Sequence, residues 1–128
     1  MQLFYAQSMQ TRRLAQQAHT DELMEQAMRY LQENAGQPLS MKVPSRSLNL
    51  SPVQFSRRFQ QKFQTSPSDY LASLRTSVAG NLLLETNLTI HEVAQRCVYQ
   101  NTFYLGNLFS REMQMMPGQF RKTHPTKI

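Results

Sequence analysis

The sequence predicts an all-α fold, and three observations carry that reading. Apolar residues recur at spacings of three and four, the period of a helix buried on one side. Helix-start signals appear along the chain at Thr20-Asp21-Glu22, Ser51-Pro52-Val53-Gln54, Ser66-Pro67-Ser68-Asp69 and Thr89-Ile90-His91-Glu92. No long stretch alternates apolar and polar residues as a half-buried strand would.

The elements follow in order. Thr20-Asp21-Glu22-Leu23 reads as the cap of a first helix, with its acids where the helix dipole favours them. Leu23, Ala27, Tyr30 and Leu31 make its apolar stripe, and Gly36 is placed to close it. Pro38-Leu39-Ser40 opens a short second helix. Ser51 caps a third, with Pro52 at the first helical position, Gln54 completing a capping box, and Phe55 and Phe59 on the apolar face. Ser66-Pro67-Ser68-Asp69 repeats that grammar for a longer helix with the stripe Tyr70, Leu71, Leu74, Val78, Leu82 and Leu83, fraying near Glu85-Thr86-Asn87. Thr89 to Glu92 is a full capping box. A helix from about Asn101 carries Leu105 and Phe109, and a last short one starts near Pro117 with Phe120 as its anchor. That makes about seven helices with short connections.

The order of elements in 39–70 recurs in 89–120. Leu50 matches Tyr99 at an offset of 49; one residue later the offset becomes 50, pairing Phe55 with Leu105, Phe59 with Phe109, Pro67 with Pro117 and Tyr70 with Phe120. The apolar anchors match and the exposed positions between them differ, as two copies reading different surfaces would. Each copy is a short helix, a tight turn and an amphipathic helix, the arrangement of a helix-turn-helix. In the first turn Asn49 is the residue suited to left-handed backbone.

Charge is unevenly divided. Residues 1–38 hold three basic and four acidic side chains, whereas 39–128 hold eleven basic and four acidic, a net of +7. Local basic excess attracts polyanions. Other functions lose support. No apolar run is long enough to cross a bilayer, and the opening Met1-Gln2-Leu3-Phe4-Tyr5 lacks the pattern of a signal peptide. The one cysteine, Cys97, excludes an internal disulfide and reads as a small buried residue behind Tyr99. His19, His91 and His124 lie far apart, and no metal-ligand spacing or glycine-rich phosphate loop occurs. The expectation is a cytoplasmic, nucleoid-associated protein, not an enzyme, with neither cofactor nor metal. Met113, Met115 and Met116 read as core filling beside the last helix.

Pro38-Leu39-Ser40, Leu50-Ser51-Pro52, Phe55-Ser56-Arg57-Arg58-Phe59 and Ser66-Pro67-Ser68-Asp69-Tyr70-Leu71 resemble the first half of the AraC/XylS domain. Leu74-Arg75, Ala79 and Leu82-Leu83-Leu84-Glu85-Thr86 are similar to its linker helix, and Ile90, Val93-Ala94-Gln95-Arg96-Cys97, Phe109, Pro117 and Phe120-Arg121 to its second half. The resemblance spans about residues 21–122. It implies two helix-turn-helix subdomains, 20–70 and 88–124, joined by a linker helix over 67–87, with 1–19 an N-terminal linker or extension and 125–128 a tail. It implies a bacterial transcription regulator that places helices 52–62 and 102–112 in successive major grooves of double-stranded DNA. The base contacts carried over are Val53, Gln54, Ser56 and Arg57, then Thr102, Phe103, Gly106 and Asn107. Arg57 is the foremost, since an arginine can donate two bonds to one guanine. Ser51, Arg58, Lys62, Thr89 and Arg111 are the candidate phosphate contacts.

The chain departs from the family pattern at several points. Pro44-Ser45 replaces a usual Leu-Ala, so the second helix is expected to start late or be distorted. Asn49, Gln64, Val98 and Gln114 stand where glycine is common; Val98 is the least suited to left-handed backbone, so its turn is expected to differ from the family norm. Asn107 stands where arginine is frequent, and Gly106 weakens its helix by about 1 kcal/mol relative to alanine. The rival reading is a degenerate module that binds another regulator or RNA polymerase; RNA polymerase is also a partner for the DNA-binding reading. The glutamine-rich stretch 1–19, with Leu3, Phe4, Tyr5, Met9 and Leu14, is read as a surface for a homodimer.

Overall fold

The computed structural model describes residues 2–99 and 101–124, with side chains from residue 8 onward. Among them there are seven helices and no strand: α1 (Gln2–Asn34), α2 (Lys42–Ser47), α3 (Pro52–Phe63), α4 (Pro67–Glu85), α5 (Ile90–Arg96), α6 (Thr102–Met113) and α7 (Pro117–Thr123). The expected tail 125–128 lies outside the described residues, as do the side chains of Leu3, Phe4 and Tyr5.

Local start signals act as their chemistry dictates. Ser51 accepts from the Gln54 N–H while Gln54 Oε1 accepts from the Ser51 N–H, a closed capping box. Thr89 and Glu92 form the second box. Ser66 accepts from the Asp69 N–H at 3.1 Å, and Asn101 Oδ1 from the Tyr104 N–H at 2.8 Å. The start expected at Thr20 is corrected: α1 runs unbroken through it from Gln2. What begins near Thr20 is burial, because residues 8–19 are all exposed and Met24 is, among the described side chains, the first fully enclosed. Gly36 does not close the helix with left-handed backbone, as no described glycine has a positive φ.

The start expected at Pro38-Leu39-Ser40 moves to Lys42. Pro44 is then the third helical residue, where a missing N–H is one of those with no partner inside a helix anyway. Ser45 is buried, and its hydroxyl donates back to the Met41 and Lys42 carbonyls at 2.9 and 3.0 Å.

The repeat is visible in the backbone. After α2 the Leu50 N–H donates to Ser45 O at 2.9 Å; after α5 the Tyr99 N–H donates to Ala94 O at the same distance. The four positions where glycine was missed are the four non-glycine residues with left-handed backbone: Asn49 (φ 56°), Gln64 (62°), Val98 (62°) and Gln114 (60°). The distortion expected at Val98 is thus absent. Buried Cys97 and Tyr99 on either side hold Val98 in a conformation that costs a β-branched residue about 1–2 kcal/mol.

Two cores result. In the first, Met24, Ala27 and Leu31 of α1 close over Phe55 and Phe59 of α3, with Phe63 and Tyr70 at 4.7 and 6.1 Å from the Phe59 ring. In the second, Ala79 and Leu83 of α4 meet Val93, Ala94, Cys97, Tyr99, Leu105 and Phe109, with Phe120 edge-on to Phe109 at 5.1 Å. Burying each of these large side chains is worth about 1.5–3 kcal/mol.

Helix α4 serves both cores, and this corrects its expected stripe. Leu71 and Leu83 are buried but Val78 is 46% exposed, while Thr76, Ala79 and Gly80 are enclosed. A helix packed from two sides has no single apolar face. Thr76 is satisfied by the Tyr99 hydroxyl at 3.1 Å. The helix ends at Glu85, within the expected stretch Glu85-Thr86-Asn87, but its end is held rather than loose. Arg121 of α7 donates to the Leu83 and Thr86 carbonyls, holding the end of α4. Arg75 of α4 does the same for the end of α1, donating to Ala35 O at 3.0 Å and Gln37 O at 2.8 Å.

Candidate nucleic-acid interface

Each helix-turn-helix buries one side of its second helix and leaves the other free. In α3, Phe55 and Phe59 point into the core, so the opposite strip of Val53, Arg57, Gln60 and Gln61 faces outward. In α6, Leu105 and Phe109 are buried, and Thr102, Phe103, Asn107 and Arg111 face outward. The two strips are equivalent at the offset of 50: Val53 with Phe103, Arg57 with Asn107, Gln61 with Arg111. Val53 and Phe103 are the most exposed large apolar side chains among the described residues, at 70% and 74%.

The expected base-contact residues divide accordingly. Val53, Arg57, Thr102, Phe103 and Asn107 are exposed, and Ser56 is half-buried on the flank. Gln54 is exposed, but its Oε1 is engaged by the Ser51 N–H at 3.0 Å, leaving the amide nitrogen as its free donor. Gly106 is corrected. It is buried, and a Cβ there would meet Met116 Cε at 2.9 Å, so it offers no surface for a base.

The expected phosphate contacts also differ among themselves. Arg111 is exposed and Arg58 half-buried. Lys62 is held by acids of α1, 3.9 Å from Asp21 and 3.6 Å from Glu25. At Ser51 and Thr89 the cap N–H and hydroxyl are both engaged in capping boxes. Thr89 also carries the Glu92 carboxylate 3.0 Å from its hydroxyl, and that charge opposes a phosphate. Arg75 and Arg121, counted in the basic excess, are directed at helix-end carbonyls instead.

Sequence reasoning missed Gln60 and Gln61, which extend the α3 strip, and Tyr104, half-exposed with its ring 6.0 Å from that of Tyr99. The signal for the glutamines was present: they lie three and four residues beyond Arg57, on the same face. Burial pushes the Cys97 thiol up to about 11 against the opposing pull of Arg75, so the thiol stays neutral and is no nucleophile. Among the described residues no group of acids, histidines and cysteine is arranged to hold a metal, and no helix is long and apolar enough to cross a membrane.

Known proteins share this architecture. Residues 45–123 match the family described as "Helix-turn-helix domain". The HTH-type transcriptional regulator YpdC of Escherichia coli K12 is 30% identical over 104 residues, covering 81% of this chain and 36% of the relative. The chain thus spans about a third of that relative's length. The C-terminal domain of AraT, a response regulator from Geobacillus stearothermophilus, superposes with a TM-score of 0.74 at 34% identity, covering 79% of this chain and 84% of that one. The DNA-binding domain of AdpA, solved in complex with a target DNA, shares the fold at 22% identity and a TM-score of 0.72, covering 78% and 90% of the two chains. The chain belongs to the AraC-type helix-turn-helix family, a family of transcription regulators and not of enzymes.

Proposed function

We propose that this chain binds double-stranded DNA as the reading part of a transcription regulator, setting α3 and α6 into successive major grooves. The observation that carries this reading is the pair of equivalent, outward strips on α3 and α6, each backed by a core and, among the described residues, free of internal partners at Arg57 and Asn107. Arg57 reads a guanine, and α3 carries more of the specificity than α6. Asn107 pairs with adenine, and Val53 and Phe103 meet thymine methyls. Ser56 and Thr102 add hydroxyls at the flanks, Gln54 its free amide nitrogen. Arg58 and Arg111 take phosphates, joined by Ser51 and Lys62 where their present partners yield.

In functional terms the chain divides into a first unit over 20–70, a linker helix over 67–87 and a second unit over 88–124. As a regulator on promoter DNA it works on the chromosome, within reach of RNA polymerase. Exposed Met9 and Leu14 on the outer half of α1 suit pairing with a second copy; sedimentation as a monomer at high concentration removes that part.

The test is anisotropy of fluorescent duplexes over a range of salt, with a selected random pool supplying the preferred site. Binding should weaken steeply as salt rises, because bound phosphates release counterions. Arg57→Ala should lose preference at one base pair, by about 1–3 kcal/mol, and keep nonspecific binding. Weak binding without enrichment, unchanged in the mutant, overturns the reading and points to a protein partner.

A further inference from the structure

The outer half of α1 does more than extend the chain. It stands beside α3 and leaves an open notch of about 450 Å³ between them. Arg13, Gln16, Gln17 and Thr20 form one wall, Arg58 and Gln61 the other. At its inner end, Lys62 sets one positive charge against the two carboxylates of Asp21 and Glu25, and the Gln17 amide donates to Asp21 at 3.2 Å. The acids near the notch are thus partly compensated. Arg13 and Arg58 are not: among the described residues neither makes an ion pair. Two guanidiniums and three glutamine amides thus line one recess, a donor-rich surface suited to a phosphate.

Position joins this recess to the recognition strip. Gln61 borders both the notch and the surface made by Val53, Arg57 and Gln60. A helix with its side chains is about 10–12 Å across and the major groove about 12 Å wide, so a helix in the groove has a phosphate strand along each flank. Arg58 lies on the flank of α3 that faces α1. We propose that the notch grips a backbone phosphate of the duplex that α3 reads, with Arg13 and Arg58 as its two cationic arms. The outer half of α1 is then a third DNA contact, positioning the first unit without reading sequence. This rests on the DNA-binding reading above.

The experiment compares the full chain with Arg13→Ala and Arg12→Ala on the preferred duplex and on a scrambled one, each over a salt series. Arg12→Ala removes the same charge from the neighbouring position, which does not line the notch. Arg13→Ala should weaken both duplexes by the same factor, severalfold, and make the salt slope shallower by about one unit. Arg12→Ala should lose clearly less. Residues 8–19 pack against no core, so thermal melting of Arg13→Ala should match the wild type. An unchanged slope for Arg13→Ala overturns the proposal. So does a loss equal to that of Arg12→Ala, which signals a diffuse field, a loss confined to the preferred duplex, or a change in sedimentation. A wild type without salt-dependent DNA binding removes this proposal together with the reading beneath it, whereas a binding wild type with an indifferent Arg13→Ala removes the notch alone.

Discussion

The two helix-turn-helix units share a skeleton and differ in what they expose. Their turns close with the same backbone bond, their second helices end in the same left-handed glutamine, and Phe59 and Phe109 occupy equivalent buried positions. Outside the skeleton, α3 carries Arg57, Arg58 and Lys62 with no acid, while α6 has Asn107, Leu108 and Glu112 at the equivalent places. In the turns, Asn49 accepts left-handed backbone readily and Val98 does not. The comparison teaches that skeleton and reading surface are separable. The second unit retains the fold under backbone strain and with no net charge on α6, because its core, shared with α4 and α7, is sufficient to hold it.

The hardest blow to that comparison is at the skeleton. Phe59→Ala and Phe109→Ala should each destabilise the chain by about 3–5 kcal/mol, measured by denaturant unfolding, since both side chains are fully enclosed. Closely matched losses support equivalent cores; a large gap would break the equivalence.

The reading surfaces come next. Asn107→Arg puts into α6 the residue that α3 already has at Arg57. It should tighten binding to all duplexes and steepen the salt slope by about one unit. Asn107→Ala should lose less affinity than Arg57→Ala in the same anisotropy assay. Equal losses would mean that both units read alike.

Backbone strain is a smaller lever. Val98→Gly should stabilise by about 1 kcal/mol, the relief of left-handed strain less the lost half-buried side chain. Asn49→Gly should change stability by only a few tenths of a kcal/mol, because asparagine tolerates the conformation. Denaturant midpoints of the two variants decide it.

The mildest test is a pH titration of Cys97, whose counterpart in the first unit is Leu48. Its folded pKa of about 11 lies above the ordinary 9.0, so folding favours the neutral thiol. That contribution is fully present below pH 9 and is lost as pH rises through 11. The stability of the wild type relative to Cys97→Ala should therefore fall across that window. At pH 8 the native thiol should react slowly with a disulfide reagent; prompt labelling would show that the second core opens.

Much of this was legible in the residues. The caps at Ser51, Ser66, Thr89 and Asn101 depend on partners three residues away, and the proline starts of α3, α4 and α7 on the proline ring itself, so a window of the sequence contains the whole effect. The outward positions of Val53, Arg57, Phe103 and Asn107 follow from helical periodicity once the phenylalanines are assigned to the core. Gly106 was misjudged because Met116, ten residues on, folds back over it. The capping box from Thr89 to Glu92 was legible, but not that the Thr89 hydroxyl would also donate to the Glu92 carboxylate.

By itself, then, the sequence determined the order of the six helices from α2 onward and the doubled plan. Each rests on contacts between near neighbours, or on a period that repeats. Only the tertiary structure decided that α1 continues unbroken beside α3, that α4 is buried from two sides, and that Arg75, Arg121 and Lys62 face carbonyls and acids. The contacts of Arg75, Arg121 and Lys62 join groups 35 to 41 residues apart, whose approach is set by packing rather than by local preference.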